Sequence, residues 1–391
     1  GAFAIQELQR LAAAARGVGH WVACRDCLRN AIHLAQPGED RAGLWEAVGD
    51  AEEEIGDLSA TVVAYKHALK ETPVPHVAAR VHRKAAMAFE KSGRPRLAVP
   101  ELEAGLRCVG EATTEERGWL DLVYSRVLQR LERWVEARAR GLSCLRTFEE
   151  TVSLRGQVEA LLALGAIEIH SLDASVPLAF SYFTRARELA ATLGDEDVAA
   201  DVHQHLSHFY AYHGAADVDE VAREIRALAH SAEVLASHRL ALVHHLLQGW
   251  FELDFENNLG AAESRFMEAI VVARKSYDTS LLVSAKAGLA CAAHFKGRFA
   301  DARAGFEEVA VELAARTGMF RWGRFGGPTE AMWMAAECSL LQGDPDGLRR
   351  MCEEFNRLRS DRPPAFPALA DIVHALDALR QGDVDSAEAA L

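Results

Sequence analysis

A pattern of small and aromatic residues recurs along the chain, and this recurrence constrains the fold more than any other feature. In the segment LWEAVGDAEEEIGDLSATVVAYKHALKETP, the pattern is marked by Gly49, Gly56, Tyr65 and Ala68. A shift of 37 residues in either direction brings GRPRLAVPELEAGL and GHWVACRDCLRNAIHLAQP into register. The spacing drifts between about 37 and 46 residues and continues to the end of the sequence, giving nine units and part of a tenth. An internal period of this length predicts a repeat architecture.

Each unit is predicted to be a pair of amphipathic helices joined by a glycine turn. Glycine adopts the positive φ with which many helices end. Small residues let two helices approach, and an aromatic side chain fills the wedge between neighbouring hairpins. One hairpin cannot bury its own apolar face, so the hairpins must stack into a solenoid. The residues to which we assign these structural roles are Gly49, Gly56, Tyr65, Ala68, Gly93, Ala98, Phe183, Ala186, Phe266, Ala269, Gly297, Ala302 and Phe306.

This pattern resembles the tetratricopeptide repeat (TPR), and the resemblance covers almost the whole chain. It implies an all-α fold, a right-handed α-α superhelix of about nine to ten hairpins over residues 1–391, with sub-blocks at 1–150 and at 151–391. Regular and degenerate units alternate, which is similar to the C-terminal TPR-like sensor regions of bacterial signal-transduction (STAND-type) NTPases and ATPase-linked cyclases and kinases. The resemblance, together with the Gly-Ala start and an end within a helical pattern, favours a piece of a longer protein.

Composition argues against several classes of partner. The chain has 57 acidic and 43 basic residues, a formal charge of −14, which disfavours nucleic acid and a polybasic membrane patch. Its most apolar window, VEALLALGAIEI, contains Glu159 and Glu168 and is too short to cross a bilayer. Seven scattered cysteines do not suggest a disulfide framework and favour a reducing cytoplasm.

No catalytic motif is present in the sequence: it contains no GxxxxGK[ST], HExxH, GxSxG or kinase signature. We therefore predict no enzyme and no cofactor. The single CxxC, Cys24 to Cys27, has no second pair that would complete a zinc site, so packing is the favoured role. His205 and His208 share a helix face that could seat a metal, but no further ligand has a matching spacing, so no metal site is predicted.

The TPR resemblance also implies a binding surface, because the first helix of each TPR hairpin lines the concave side. In that frame the amino-terminal units present bands of opposite charge, and the later units present a mixture of histidine, aromatic and acidic side chains. Charge bands favour a protein or peptide partner, whereas the mixed region would also suit a small polar ligand such as a sugar. The alternative is that these polar residues only keep the face in water. The candidates are Glu46, Asp50, Glu53, Arg80, Arg83, Glu90, Arg126, His208, His244, Phe251, Asp254, His294, Trp333 and Glu337.

A glycine-rich insert at 316–329 interrupts the spacing between units 8 and 9. Aromatic and arginine side chains of this kind dominate many interfaces, which favours a binding loop. The alternative is that the aromatic side chains turn inward and fill a mismatch between two hairpins. The residues concerned are Phe320, Arg321, Trp322, Arg324 and Phe325.

Together these features predict a non-catalytic scaffold for protein–protein interaction, the recognition arm of a larger bacterial signalling or defence ATPase. The alternative is a sensor domain that binds a metabolite or sugar, as in a maltose-activator-like regulator. A third hypothesis, an enzyme built on helical hairpins, would need a cluster of acid, base or metal ligands in units 6 to 9.

Overall fold

The computed structural model describes residues 2–171, 175–213, 217–276, 279–315, 328–361 and 368–390. These residues form twenty α-helices and no strand, which confirms the predicted all-α class. The helices are α1 (Ala2–Gly17), α2 (Trp21–Leu34), α3 (Glu39–Ile55), α4 (Leu58–Glu71), α5 (Pro75–Lys91), α6 (Pro95–Val109), α7 (Glu115–Arg130), α8 (Trp134–Glu150), α9 (Leu154–His170), α10 (Val176–Leu193), α11 (Glu196–His213), α12 (Val218–Val234), α13 (His238–Asp254), α14 (Leu259–Ser276), α15 (Thr279–Phe295), α16 (Phe299–Ala314), α17 (Pro328–Leu341), α18 (Pro345–Asp361), α19 (Ala368–Arg380) and α20 (Val384–Ala390).

The helices divide into two compact units, an amino-terminal unit (Gly1–Leu193) and a carboxy-terminal unit (Gly194–Leu391). Within each unit, consecutive helices pack as hairpins, α1 with α2 and so on. The first helices of neighbouring hairpins also touch one another: α5 contacts α7 and α7 contacts α9, while α11 contacts α13 and α13 contacts α15. Within each unit the first helices therefore form one layer, here called the inner layer, and the second helices form the other. This is the TPR-like stack of hairpins that the repeat predicts.

The turns inside several hairpins contain a residue with a positive φ, which is most often glycine. Gly56 follows α3 with φ 88°, and its backbone N–H donates to the carbonyls of Glu52 and Glu53. Two hairpins place a residue other than glycine at this point with a positive φ, Glu132 at 59° and Asn257 at 51°. A side chain in this region is strained, so glycine is preferred there but not obligatory.

A small buried residue lies seven places before the turn in seven of the hairpins. Counting back from Gly56 gives Gly49, and counting back from Glu132 gives Ser125, which is fully buried although its turn residue is not glycine. Small side chains at this place allow the second helix to pack closely against the first. The seven residues are Ala12, Gly49, Ala86, Ser125, Ala290, Ala336 and Ala375.

Aromatic rings from the second helices rest directly on the backbone of the first helices. The ring of Tyr65 is fully buried, and a Cβ built on Gly49 would lie 2.3 Å from its Cε1 atom. Phe183 packs against Gly165 in the same way, with 2.4 Å between a Cβ on the glycine and the ring Cε1. The other alanine and aromatic residues assigned from the sequence are fully buried as well: Ala68, Ala98, Ala186, Ala269, Ala302 and Phe306.

Two aromatic rings, those of Phe266 and Phe148, contact the next hairpin in addition to the first helix of their own hairpin. Phe266 of α14 packs against Gly249 of α13 and Gly288 of α15, where added Cβ atoms would lie 2.8 and 2.3 Å from its Cε1. Phe148 of α8 is held in the same way between Gly118 of α7 and Gly156 of α9. The sequence analysis did not identify Phe148, because Gly141 occupies the aromatic position of this repeat. Phe148 lies seven residues further along the chain.

The most apolar segment of the sequence becomes the most buried helix. From Gly156 to Ile169 every residue of α9 except Glu159 is buried. A helix that is apolar all round is one that packs on all sides. Among the described helices none is long and apolar enough to span a bilayer.

We predict that Gly288→Ala lowers the free energy of unfolding of the carboxy-terminal unit by about 1–3 kcal/mol, because the new methyl group overlaps the Phe266 ring. Alanine stabilises a helix interior by up to about 1 kcal/mol relative to glycine, so helix propensity alone predicts that the variant is more stable than the parent protein. Urea denaturation combined with hydrogen exchange on α13–α15 measures the change.

The matched control is Gly43→Ala within α3, where an added Cβ meets no atom within 4 Å. That variant should be neutral or more stable than the parent protein. Adding Phe266→Leu to Gly288→Ala should cost less than the sum of the two single changes, because the shorter side chain leaves room for the methyl group. Strict additivity would contradict the proposed contact.

Candidate functional site

The charged residues predicted on the inner layer of the amino-terminal unit each pair with an oppositely charged residue of a neighbouring hairpin. Glu46 of α3 accepts hydrogen bonds from Nε and Nη2 of Arg80 on α5, both at 2.8 Å. Lys84 lies between two carboxylates, with its Nζ 2.8 Å from Glu46 and 2.7 Å from Asp50. The hydroxyl of Tyr65 donates to Asp50 at 2.9 Å. Helices α3 and α5 are therefore joined by a network of charges.

The same pairing continues along the inner layer. Arg83 of α5 makes a two-pronged contact with Glu116 of α7, at 2.7 and 3.2 Å. Arg126 of α7 pairs with Glu159 of α9. Two further pairs are Lys91 with Glu53 and Arg130 with Glu90, the latter at 3.5 Å. We call these contacts, from α3 to α9, the inner ladder.

The inner ladder gives the predicted bands of charge a structural role. Burial raises the pKa of the Glu46 carboxyl, but hydrogen bonds from Arg80 and Lys84 outweigh burial and hold its pKa below the usual value. Glu46 is only 6% exposed, so its charge serves the packing of α3 on α5. A partner on this surface would meet mostly neutralised pairs, with half-buried side chains such as Met87 between them.

A second set of contacts ties the two helices within single hairpins, and the sequence analysis did not find it. Four residues before the small buried residue, the first helix places a side chain that contacts the second helix 19 to 23 residues further on. In the amino-terminal unit the indole of Trp45 stacks on His67 with centroids 4.5 Å apart, and His82 Nδ1 lies 2.7 Å from Glu101. Asp121, fully buried, accepts from Arg140 at 2.7 Å.

The carboxy-terminal unit repeats this contact at the same register. His203 Nδ1 lies 2.6 Å from Glu224, and His245 Nδ1 lies 3.2 Å from Glu268. Lys286 donates to Glu308 at 2.8 Å. We call all six contacts hairpin ties. The signal that could have revealed them is a polar or aromatic residue four places before a small residue, which recurs in these six hairpins. His203, which lies beside the candidate pair His205 and His208, thus has a structural partner.

Two candidates of the carboxy-terminal unit lie in positions that belong to the core. His244 is five residues before Gly249, where the amino-terminal hairpins have buried Leu44, Val81 and Leu120. Burial, with a contribution from His245, lowers the pKa of His244 from 6.5 to about 4. Phe251 is 4% exposed, so a partner on the inner layer would not reach its ring.

The reason lies in the stretch from the small residue to the second helix, which is one residue longer in this hairpin than in α3–α4. Leu58 begins α4 nine positions after Gly49, whereas Leu259 begins α14 ten positions after Gly249. Counting back from the turn before α14 therefore places the predicted inner positions one residue too late in the sequence. The side chains in register with Glu46 and Asp50 are Leu246 and Trp250, which are buried.

The remaining candidates of this unit except Asp254 lie at inner-layer positions, and Asp254 is one residue beyond the position in register with Glu53. Trp333 and Glu337 of α17 are in register with Glu46 and Asp50, and both are partly exposed. The Trp333 Nε1 atom is buried and has no hydrogen-bond partner among the described residues. His294 of α15 places Nδ1 3.4 Å from the Cys338 sulfur of α17. His208 is half-buried on α11, and Asp254 is exposed at the end of α13.

Other predictions concern the insert and the cysteines. Phe320, Arg321, Trp322, Arg324 and Phe325 lie outside the described residues. Cys24 is buried within the core of the first hairpins and Cys27 is half-buried, both as free thiols on α2. Within the described part of the chain no group of three or more metal-ligating side chains comes together.

We predict that Glu46→Gln lowers the free energy of unfolding of hairpins α3–α6 by about 1–3 kcal/mol, because Arg80 and Lys84 lose a charged acceptor at a buried site. Hydrogen exchange on α3 and α5 reports the effect. Glu54→Gln on the same helix is the control, since its side chain is exposed. An equal response from the two variants would show that the inner ladder does not stabilise the unit.

A second prediction concerns pH. The folded pKa of His244 is lower than the unfolded value of 6.5, so the folded state binds fewer protons. Its contribution to stability is complete above about pH 6.5 and is lost as the pH falls toward 4. His244→Leu should therefore weaken the fall in urea midpoint of the carboxy-terminal unit between those pH values. His230→Gln, at an exposed site on α12, should leave the fall unchanged; the same curve for all three proteins would refute the assignment.

Comparisons with known proteins identify the fold. No protein-family model matches the sequence, and no curated protein matches it. Among solved structures, a Rap protein complexed with Competence and Sporulation Factor superposes with a TM-score of 0.61 at 11% identity, over 92% of this chain and 98% of that one. A tetratricopeptide repeat protein from Parabacteroides merdae gives 0.50 at 14% identity, over 71% of this chain and 97% of that one.

A third similar structure is larger than this chain. It is a Signal Transduction ATPase with Numerous Domains from Pyrococcus horikoshii that carries a tetratricopeptide repeat sensor, with a TM-score of 0.59 at 14% identity. The likeness covers 91% of this chain but 52% of that protein, so the chain spans about half its length. Stacked hairpins, the glycine and aromatic contacts and these superpositions together establish a TPR-type array of α-helical hairpins.

Proposed function

We propose that the chain is a non-catalytic recognition array that binds a protein or peptide partner on its inner layer, as the recognition arm of a larger bacterial signalling or defence ATPase. The observation that carries the proposal is the inner layer itself. Side-chain pairs such as Arg83 with Glu116 hold the amino-terminal part of this layer in one arrangement. A surface ordered before binding loses less conformational entropy when a partner arrives.

The similar structures support this proposal. One is solved with Competence and Sporulation Factor bound, and another is described as the sensor of a multidomain ATPase. The part of that ATPase outside the likeness is about as long as the part within it, which agrees with an array that serves a larger protein. Stacked hairpins present an extended surface for recognition, and the formal charge of −14 gives this chain an acidic character.

The state of the buried reactive groups supports a non-catalytic role. Asp121 is fully buried and engaged by Arg140 and Ser143, and Glu168 is held by Arg138. Burial raises the pKa of the Cys144 and Cys338 thiols to about 12, so neither is a thiolate near neutral pH. These groups stabilise contacts between helices and are not poised for proton transfer or nucleophilic attack.

Site-specific photocrosslinking tests the proposal. A photoreactive amino acid at Met87 or Glu337, both on inner-layer helices, should crosslink the full chain to a discrete polypeptide in cells of the source organism. The same probe at Val63 or Val311, exposed on second helices, is the control and should give at least about tenfold less product.

Two outcomes would contradict the proposal. Equal crosslinking from inner and outer positions would show that contact is not confined to the inner layer. No product from any position, together with thermal stabilisation of the chain by one metabolite or sugar of a panel, would favour the small-ligand sensor instead.

A further inference from the structure

Four large apolar side chains are exposed along the last turns of three consecutive first helices in the carboxy-terminal unit. Phe295 of α15 is 53% exposed, Leu340 and Leu341 of α17 are 45% and 50% exposed, and Leu379 of α19 is 49% exposed. We call these residues the apolar strip. Single exposed apolar residues are common on proteins, but a contiguous row of them is typical of an interaction surface.

The register of the repeat places these residues side by side. Leu340 and Leu379 lie four positions after the small buried residues Ala336 and Ala375, while Leu341 lies five positions after Ala336. Phe295 lies five positions after the small residue of α15. Helix α17 contacts α19, and the contact of His294 with Cys338 joins the ends of α15 and α17. Equivalent positions on touching helices form one row.

The amino-terminal unit uses the same positions in another way. In α3, α5 and α7 the counterparts are charged or polar, and most take part in the inner ladder: Lys91 pairs with Glu53, and Arg130 pairs with Glu90. The repeat therefore does not require apolar residues at this place. The apolar strip is therefore a feature of the last hairpins that the first hairpins lack.

The strip is held in a defined arrangement. The ring of His294 stands edge-on to Phe295, with centroids 5.5 Å apart and planes at 85°. Phe299, from the start of α16, also contacts the His294 ring, with centroids 5.6 Å apart. An exposed aromatic ring fixed by its neighbours loses little freedom when a partner covers it.

Charges beside the strip favour a cationic partner. Lys296 and Arg298, in the turn after α15, both pair with Glu263, and Arg303 pairs with Asp344 at 2.6 Å. Glu337, one turn before Leu340 and Leu341, has no cation partner among the described residues. These three cations near α15 are thus paired, while the Glu337 carboxylate stays available.

We propose that the apolar strip is the docking site for a basic amphipathic segment of a partner protein, whose aliphatic side chains cover Phe295, Leu340, Leu341 and Leu379 and whose lysine or arginine side chains reach Glu337. This inference rests on the proposed recognition function and names the chemistry of the partner. An amphipathic helix laid across a surface uses such anchors at the spacing of its turns. The formal charge of −14 also favours approach by a cation.

Titration of the full chain with designed peptides tests the proposal. The probe is a fluorescent helical peptide about 18 residues long with leucine on one face and lysine on the other. Its two controls carry glutamate in place of lysine, or serine in place of leucine. Fluorescence anisotropy should show binding of the leucine–lysine peptide at least about tenfold tighter than either control, since both the apolar and the charged contacts contribute.

Variants of the chain locate the binding. Phe295→Ser combined with Leu341→Ser should weaken binding of the leucine–lysine peptide at least about tenfold. Glu337→Gln should reduce the preference of the chain for this peptide over the glutamate peptide. Val311→Ser, at a 68% exposed site on α16, is the matched control and should bind as the parent chain does. Circular dichroism should show the same helix content in all variants.

Three results would overturn the proposal. The first is equal binding of the lysine and glutamate peptides, and the second is an equal effect of the strip variants and Val311→Ser. The third is a concentration-dependent dimer that the strip variants abolish, which would assign the strip to a second copy of the chain. Failure of the peptide test while inner-layer probes still crosslink a partner would reject the strip alone and leave the recognition function standing.

Discussion

The contact between an aromatic ring and bare backbone is the constraint on which the rest of the structure depends. Where Tyr65 meets Gly49, or Phe266 meets Gly249 and Gly288, the ring occupies the space of a missing side chain. Such a contact fixes the distance between two helices, and a ring shared by two hairpins also fixes the distance to the next one. Burying a whole ring supplies several kcal/mol and tolerates little displacement, because protein interiors are close-packed.

Polar contacts act on top of this packing in two distinct directions. Hairpin ties such as His203 with Glu224 join the two helices of one hairpin, whereas the inner ladder, as in Arg83 with Glu116, joins successive hairpins. Both kinds are partly buried, so their desolvation is offset only by well-formed pairs. The charges therefore contribute to the relative placement of helices, and a surface that looked like a set of binding charges in the sequence is to a large extent part of the scaffold.

The features that depend on local sequence could be predicted, and those that depend on register between distant segments could not. Turn glycines such as Gly56 and the aromatic slot of Tyr65 follow from the geometry of one hairpin, so the period reveals them. The pair of Glu46 with Arg80 spans 34 residues and needs the register of two hairpins to be known. His244 was assigned to the inner layer because a longer turn shifted the count by one residue, and a one-residue shift on a helix moves a side chain by about 100°.

The two kinds of polar contact also differ in how strongly they depend on the order of the repeats. A hairpin tie is complete within its own hairpin, so Lys286 and Glu308 would keep each other wherever that hairpin stood in the array. The ladder from α3 to α9 matches each hairpin to one neighbour, so exchanging two of these hairpins would set like charges side by side or leave them unmatched. Duplication or shuffling of units is thus tolerated at the ties and penalised along the ladder, which constrains the order of the hairpins from α3 to α9.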